Sequence, residues 1–191
     1  MAQAIRIHEH GGPEVLRLEA VTVGEPGPGE LRLRQTAIGL NFIDVYQRIG
    51  LYPTPLPSGL GREAAGIVEA VGPKVKGFAP GDRVAYVLAT SGSYADVRLL
   101  PAERVLKLPD TVSDRDAAAS LLKGLTAHAL LRRTYEVRKG DWILVHAAAG
   151  GVGMILVQWA THLGARVIGV VGSDSKAEQV RQLGAEHVLV G

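Results

Sequence analysis

The sequence predicts an α/β plus β protein, with a β-rich N-terminal part followed by strands and helices in strict alternation. Three observations carry this. Short β-rich segments alternate with Gly/Pro punctuation up to about residue 123. Beyond that point nearly continuous apolar runs alternate with helical stretches, the pattern of parallel strands with helices on both faces. Glycine supplies 24 of the 191 residues, above the usual ~7%, which signals tight turns and a place where backbone approaches a ligand closely.

Taken in order, Ala4–His8 and Leu16–Val23 read as strands separated by the turn Gly11-Gly12-Pro13. Leu31–Leu40 is the next strand, after the loop Pro26–Glu30. Asn41–Arg48 is a short amphipathic helical stretch leading into the loop Gly50–Gly61. Gly66–Val71, Arg83–Leu88 and Tyr94–Leu99 are further strands, and together these short segments indicate a small barrel or sandwich. Ser113, with Asp116 three residues on, reads as a helix N-cap, and Ala117–Arg133 as helical, broken at Gly124. Trp142–Ala147, Arg166–Val171 and His187–Val190 are strands, with helices at Val152–Leu163 and Ser175–Leu183 between them. Both helices end in Leu-Gly-Ala, placing a glycine cap before each new strand. This βαβαβ unit is half of a dinucleotide-binding fold. The expected division is residues 1–123 and 124–191.

Composition excludes several classes. With 47% hydrophobic and 21% charged residues the chain is ordinary globular protein. Its net charge of +2 is scattered, with tight basic pairs only at Arg132-Arg133 and Arg138-Lys139, so nucleic-acid binding is not indicated. There are no cysteines, which removes disulfides, thiolate catalysis and cysteine-ligated zinc. The six histidines show no ligand spacing. No apolar run approaches the ~20 residues that span a bilayer, and the charged N-terminus is unlike a signal peptide. A cytoplasmic protein without membrane contact is expected.

The chemistry begins at the turn after the first apolar strand. Ala149, Gly150, Gly151, Val152 and Gly153 form a glycine-rich loop entering a helix, where backbone N–H groups and the helix dipole favour a pyrophosphate. His146, just before it, reads as a packed core residue. At the end of the next strand, ≈ 20 residues on, NAD-preferring folds carry Asp or Glu for the ribose 2′-OH. Here the position is Gly172, followed by Ser173 and Lys176, which leave room and supply donors for a 2′-phosphate; NADPH is the cofactor expected. Asp174 complicates this, since it could reach a ribose hydroxyl, and Ser175 with Glu178 forms a capping-box pattern compatible with phosphate binding.

Asp141–His146 with the loop behind it resembles the nucleotide motif of the quinone oxidoreductase branch of the medium-chain dehydrogenase/reductase superfamily, in its zinc-independent bacterial form. So do Gly11-Gly12-Pro13-Glu14-Val15-Leu16, Gly39-Leu40-Asn41-Phe42-Ile43-Asp44, Gly61-Arg62-Glu63-Ala64-Ala65-Gly66 and Leu122-Lys123-Gly124-Leu125-Thr126-Ala127, which run in family order. The resemblance implies a GroES-like catalytic domain before a truncated Rossmann domain, with the site in the cleft between them. Zinc-dependent members carry ligands where this chain has Asn41, Arg62 and Leu122, none of which suits zinc's tetrahedral N/S shell in that combination. No metal is therefore expected. Arg62 reads as a solvated residue or as an ion-pair partner of Glu63.

Without a Lewis acid, hydrogen-bond donors must polarise the substrate carbonyl. The resemblance makes Asn41, Tyr46, Tyr52, Lys123 and Thr126 candidates for the catalytic site, with Asp44 orienting its neighbours. The alternative for each tyrosine is a half-buried aromatic with its hydroxyl at the surface. The implied reaction is NADPH-dependent reduction of a quinone by hydride or single-electron transfer. Reduction of an α,β-unsaturated carbonyl on the same scaffold is one alternative, and a non-catalytic nucleotide-binding or structural relative is another. A sheet of three strands where about six are usual suggests that the natural chain continues past Gly191. Residues 1–191 alone are then expected to bind NADPH poorly, to be inactive and to associate through exposed edges, and the full-length protein to be a homodimer.

Overall fold

In the computed structural model, residues 1–87 and 91–191 are described, and they form two units, Met1–Leu121 and Leu122–Gly191. The first unit opens with β1 (Ala2–Ile7) and β2 (Arg17–Val21), an antiparallel pair joined through a 3-10 turn at Pro13–Val15. β3 (Glu30–Gly39) buries Leu31 and Leu33 at period two, as a half-covered antiparallel strand should. Helix α1 (Phe42–Arg48) follows, and β4 (Ser58–Gly59) pairs with β1. The segment Gly50–Gly61 is thus not a plain loop; a two-residue strand carries no periodic signal. β5 (Glu63–Val71), β6 (Arg83–Val87), β7 (Val97–Pro101) and β8 (Val105–Lys107) complete a five-stranded antiparallel sheet in the order β7-β3-β5-β6-β8. Leu88, the expected end of β6, lies outside the described residues.

Two strands begin three residues away from the sequence reading, others differ by one or two, and β8, like β4, is additional. β5 begins at Glu63 rather than Gly66, because the small residues Ala64 and Ala65 are buried against neighbouring strands. β7 begins at Val97; residues 94–96 instead make irregular bonds to β1 and Gln35. β8 was not foreseen, being a three-residue edge strand paired only with β6. The core of this sheet is Leu31, Leu33, Ala64, Val68, Val84, Tyr86, Leu100 and Val105.

α2 (Asp114–His128) starts where expected. Ser113 Oγ accepts the Asp116 N–H at 3.0 Å and donates to the Asp116 carboxylate at 2.6 Å. The helix does not break at Gly124. A helical glycine costs only ~1 kcal/mol relative to Ala, and the surrounding Ala and Leu residues outweigh that. A π-helical stretch, Ala129–Thr134, ends it.

In the second unit β9 (Trp142–Val145), α3 (Gly151–His162), β10 (Arg166–Val171), α4 (Asp174–Gln182) and β11 (His187–Val190) build a parallel sheet in the order β11-β10-β9. Gly164 (φ +81°) and Gly184 (φ +105°) close the two helices in the left-handed conformation that glycine tolerates. The strand expected to reach Ala147 stops at Val145. The expectation of helices on both faces is corrected: Val167, Gly169 and Val171 are buried beside α3 and α4, whereas Ile168 and Val170 are half-buried and Leu144 is exposed. The capping expected of Ser175 and Glu178 also fails, because Ser173 occupies the N-cap position and Ser175 already lies within α4. None of the described helices is long and apolar enough to cross a membrane.

Candidate functional site

In the first unit the site residues gather at the start of α1. Asn41 is the N-cap and Asp44 the third helical residue, and they form a capping box. Such reciprocal bonding satisfies helix-terminal donors that no turn can reach. Asp44 Oδ2 accepts the Asn41 backbone N–H at 2.9 Å and the Tyr94 hydroxyl at 2.8 Å. The Asn41 amide donates to Glu63 Oε1 at 2.7 Å. Asn41, Asp44 and Glu63 are all buried. Glu63 fits only because residue 39 is glycine: a Cβ there would stand 2.3 Å from the Glu63 side chain and 2.2 Å from the Ala118 carbonyl. Burial pushes the Asp44 carboxyl above the usual carboxylate range, against the stabilising bonds from Asn41 and Tyr94. Its Oδ1 is buried without a hydrogen-bond partner among the described residues. Arg62 is half-buried, and its guanidinium donates to Gln47 at 3.4 Å.

Tyr46 and Tyr52 are brought together separately. Their ring centroids lie 5.3 Å apart, and Phe42 packs edge-on to Tyr46 at 5.0 Å. Tyr46 is half-buried and Tyr52 exposed, so this aromatic row presents hydroxyls and ring faces beside the closed Asn41–Asp44 pair.

The second unit holds the glycine-rich loop. Ala147, a non-glycine residue, adopts φ +49°, a left-handed strain of the sort that collects at ligand-binding turns. Its carbonyl accepts the Gly150 N–H at 2.8 Å, and Gly150 becomes the N-cap of α3. No side chain caps that terminus and no acid sits in its first turn, which leaves the helix's positive end suited to an anion. Gly153 is needed for packing, since a Cβ there would stand 2.3 Å from the Ala147 carbonyl. A cavity of about 210 Å³ is lined by Ala147, Ala149, Gly150, Val171, Gly172 and Lys176. The loop and the end of β10, far apart in sequence, therefore face one space. A Cβ on Gly172 would meet nothing nearer than 4.0 Å, and Lys176 is exposed. Val152, Gly153 and Ser173 are not among the lining residues; Ser173 shares a 3.1 Å hydrogen bond with Ser175. The Lys123 stem lies over Gly151, where a Cβ would come within 2.9 Å of it. The Thr126 hydroxyl donates back to the Leu122 carbonyl at 2.8 Å. His146 is exposed rather than packed in the core, because the strand has already ended.

Residues 27–110 match the family described as alcohol dehydrogenase GroES-like domain, and residues 151–190 match that described as zinc-binding dehydrogenase. A quinone oxidoreductase of Pseudomonas aeruginosa is 54% identical over 190 residues, covering 99% of this chain and 58% of its own length. The crystal structure of Escherichia coli quinone oxidoreductase complexed with NADPH superposes with a TM-score of 0.96 at 50% identity, over 98% of this chain and 58% of that one. Over nearly all of its residues the chain is similar to these quinone oxidoreductases. A 2-haloacrylate reductase of a Burkholderia species is 49% identical over 99% of this chain and 59% of its own. The chain thus spans just under three fifths of the length of these relatives. Its fold is a GroES-like β-rich unit followed by a Rossmann-like nucleotide-binding unit.

Three residues of the candidate site escaped the sequence reading. Glu63 stood in a quoted motif, and an acid ahead of Ala64-Ala65 at the head of an apolar strand was a usable signal. Ala147 and Tyr94 gave none: the strain at Ala147 is a tertiary outcome, and Tyr94 reaches Asp44 across fifty residues of chain.

Proposed function

We propose that the chain carries the substrate-side and nucleotide-side machinery of an NADPH-dependent reductase of quinones. Residues 1–123 act as the catalytic domain and residues 124–191 as the nucleotide-binding part. The observation that carries this reading is the single cavity joining Ala149 and Gly150 of the glycine loop to Gly172 and Lys176. NADPH supplies the hydride when bound. The first-turn N–H groups of Gly151, Val152 and Gly153 hold its pyrophosphate. Gly172 leaves space for the 2′-phosphate, and the Lys176 ammonium and Ser173 hydroxyl donate to it. Lys123, lying over Gly151, adds positive charge at the loop, with Thr126 one turn along. On the substrate side Asn41, Tyr46 and Tyr52 donate to the carbonyl oxygen and Asp44 holds Asn41 in place. In this reading the protein is a cytoplasmic homodimer.

Fluorescence titration tests it. NADPH should bind more tightly than NADH, and Lys176→Ala should reduce that preference at least several-fold, and roughly tenfold or more if the full ~1.5–3 kcal/mol of a hydrogen bond to a charged group is lost. Equal affinities for the two nucleotides in the unmutated protein would overturn the cofactor assignment. Activity should also survive chelators, since Asn41 donates to Glu63 and Arg62 to Gln47 where zinc-dependent relatives place ligands; stoichiometric zinc after dialysis would contradict this.

The similarity to a 2-haloacrylate reductase favours a second reading, reduction of an electron-poor α,β-unsaturated acid or ketone. Turnover with 1,4-benzoquinone against a linear enone separates the two.

A further inference from the structure

Tyr94, outside every motif singled out from the sequence, touches the centre of the buried pair. Its hydroxyl donates to Asp44 Oδ2 at 2.8 Å, the oxygen that also accepts the Asn41 N–H at 2.9 Å. The tyrosine is itself tightly placed. Its backbone N–H bonds the Leu60 carbonyl at 2.9 Å, and its carbonyl accepts the Ile5 N–H at 2.7 Å. The ring lies against Gly61 (φ +91°), where a Cβ would stand 2.5 Å from a ring carbon. The preceding Ser93 is fully buried, and its hydroxyl accepts from Tyr86 at 2.9 Å and from Arg98 at 3.3 Å.

We propose that Tyr94 is a positioning residue: its hydroxyl fixes the Asp44 carboxylate, Asp44 fixes the Asn41 backbone, and the Asn41 amide is thereby aimed. The proposal rests on the reading above only for what Asn41 then does to a carbonyl. A phenylalanine could fill the same space, so packing alone does not account for the hydroxyl. Asp44 lines a cavity of about 80 Å³ whose other walls are largely apolar, Leu16, Leu40, Val45 and Leu60, with Asn41, Tyr94 and one cationic side chain, Arg48, completing the lining. In such surroundings a carboxylate is held by the donors it has, and Oδ1 has none among the described residues. Loss of the Tyr94 hydroxyl leaves Oδ2 with one.

The charged and titratable groups acting on this pair are known. Arg62 and the bonds from Asn41 and Tyr94 favour the Asp44 anion, while burial and the neighbouring Glu63 oppose it. Arg48 acts on Tyr94 from the helix side.

The test is carbon-13 NMR of aspartate carboxyls in the intact protein, with the Asp44 signal assigned by its loss in Asp44→Asn. In Tyr94→Phe the Asp44 titration midpoint should rise by about one pH unit, and amide exchange at Asn41 should quicken on the order of tenfold, the loss of one hydrogen bond to a charged group. Tyr135→Phe, which removes a tyrosine bonded to Asp141, should move neither. An unmoved Asp44 midpoint in a folded Tyr94→Phe protein overturns the proposal. Should that variant fail to fold, the unmutated protein decides: a slowly exchanging Tyr94 hydroxyl proton that vanishes in Asp44→Asn supports it, and the absence of such a proton refutes it. No arm uses NADPH or turnover, so failure here is distinct from failure of the functional reading.

Discussion

The start of α1 and the start of α3 are both helix N-termini at a site, and they are built on opposite plans. At α1 the terminus is closed: Asn41 and Asp44 cap each other, Glu63 and the half-buried Tyr94 complete the bonding, and Asn41, Asp44 and Glu63 are buried. At α3 it is left open, with Gly150 as N-cap and no side-chain cap. The difference follows from what each end presents. A side chain that must point one way needs neighbours to hold it, and those neighbours must exclude water to hold it firmly. Backbone N–H groups are already aimed by the helix, so the sequence has only to keep side chains out of their path.

The contrast makes the two ends breakable by different changes. The largest effect should come from Gly153→Val, because the added atoms run into the backbone of Ala147 and Ala148 at 2.3–2.8 Å. Urea denaturation should show a loss of about 3 kcal/mol, the upper end of overpacking penalties, and nucleotide binding should disappear with it. Asp44→Ala should destabilise by about 1–3 kcal/mol, since it strands the Tyr94 hydroxyl and the Asn41 N–H in a buried place. Lys176→Ala, at the open end, should leave denaturant stability within ~0.5 kcal/mol, as exposed substitutions do, while still changing nucleotide preference. A Lys176→Ala protein as unstable as Asp44→Ala would erase the distinction.

The smallest effect sharpens the comparison through pH. The Asp114 carboxyl lies below the usual range, chiefly because it accepts the Thr36 hydroxyl and then because of Arg83. A lowered folded value favours the folded state above the unfolded carboxyl pKa, and that contribution is lost as pH falls through the folded value. Asp44 has the reverse sign: its raised value favours the fold at low pH and is lost as pH rises through the folded value. Asp114→Asn should therefore flatten the acid limb of the stability profile, whereas Asp44→Asn should remove a decline on its higher-pH side. Thermal melts between pH 3 and pH 7 check both.

The open end was the more legible in sequence. Glycines between an apolar strand and a helix mark it locally, and Gly172 and Lys176 stand at a fixed distance behind it. Of the closed end, Asn41 and Asp44 were visible only through the family resemblance, without the capping box that joins them. Its completion by Glu63 and Tyr94 depends on β3, β5 and the segment before β7 meeting, which no local pattern records. The short strands β4 and β8 were missed because two or three residues are too few for alternation to show. Gly124 misled in the other direction, since a single weak helix former was weighed above the run that contains it.

Both tryptophans of the chain, Trp142 and Trp159, lie in the second unit. Trp142 stacks on His187 with an interplanar angle of 8° and carries the Arg166 guanidinium 3.9 Å from its ring centroid, and Trp159 lies 5.8 Å from the His128 ring. Indole emission is consequently a private signal of the nucleotide-side unit. Four of the five tyrosines, Tyr46, Tyr52, Tyr86 and Tyr94, belong to the other. Excitation selective for indole therefore follows one unit's unfolding without engineered labels.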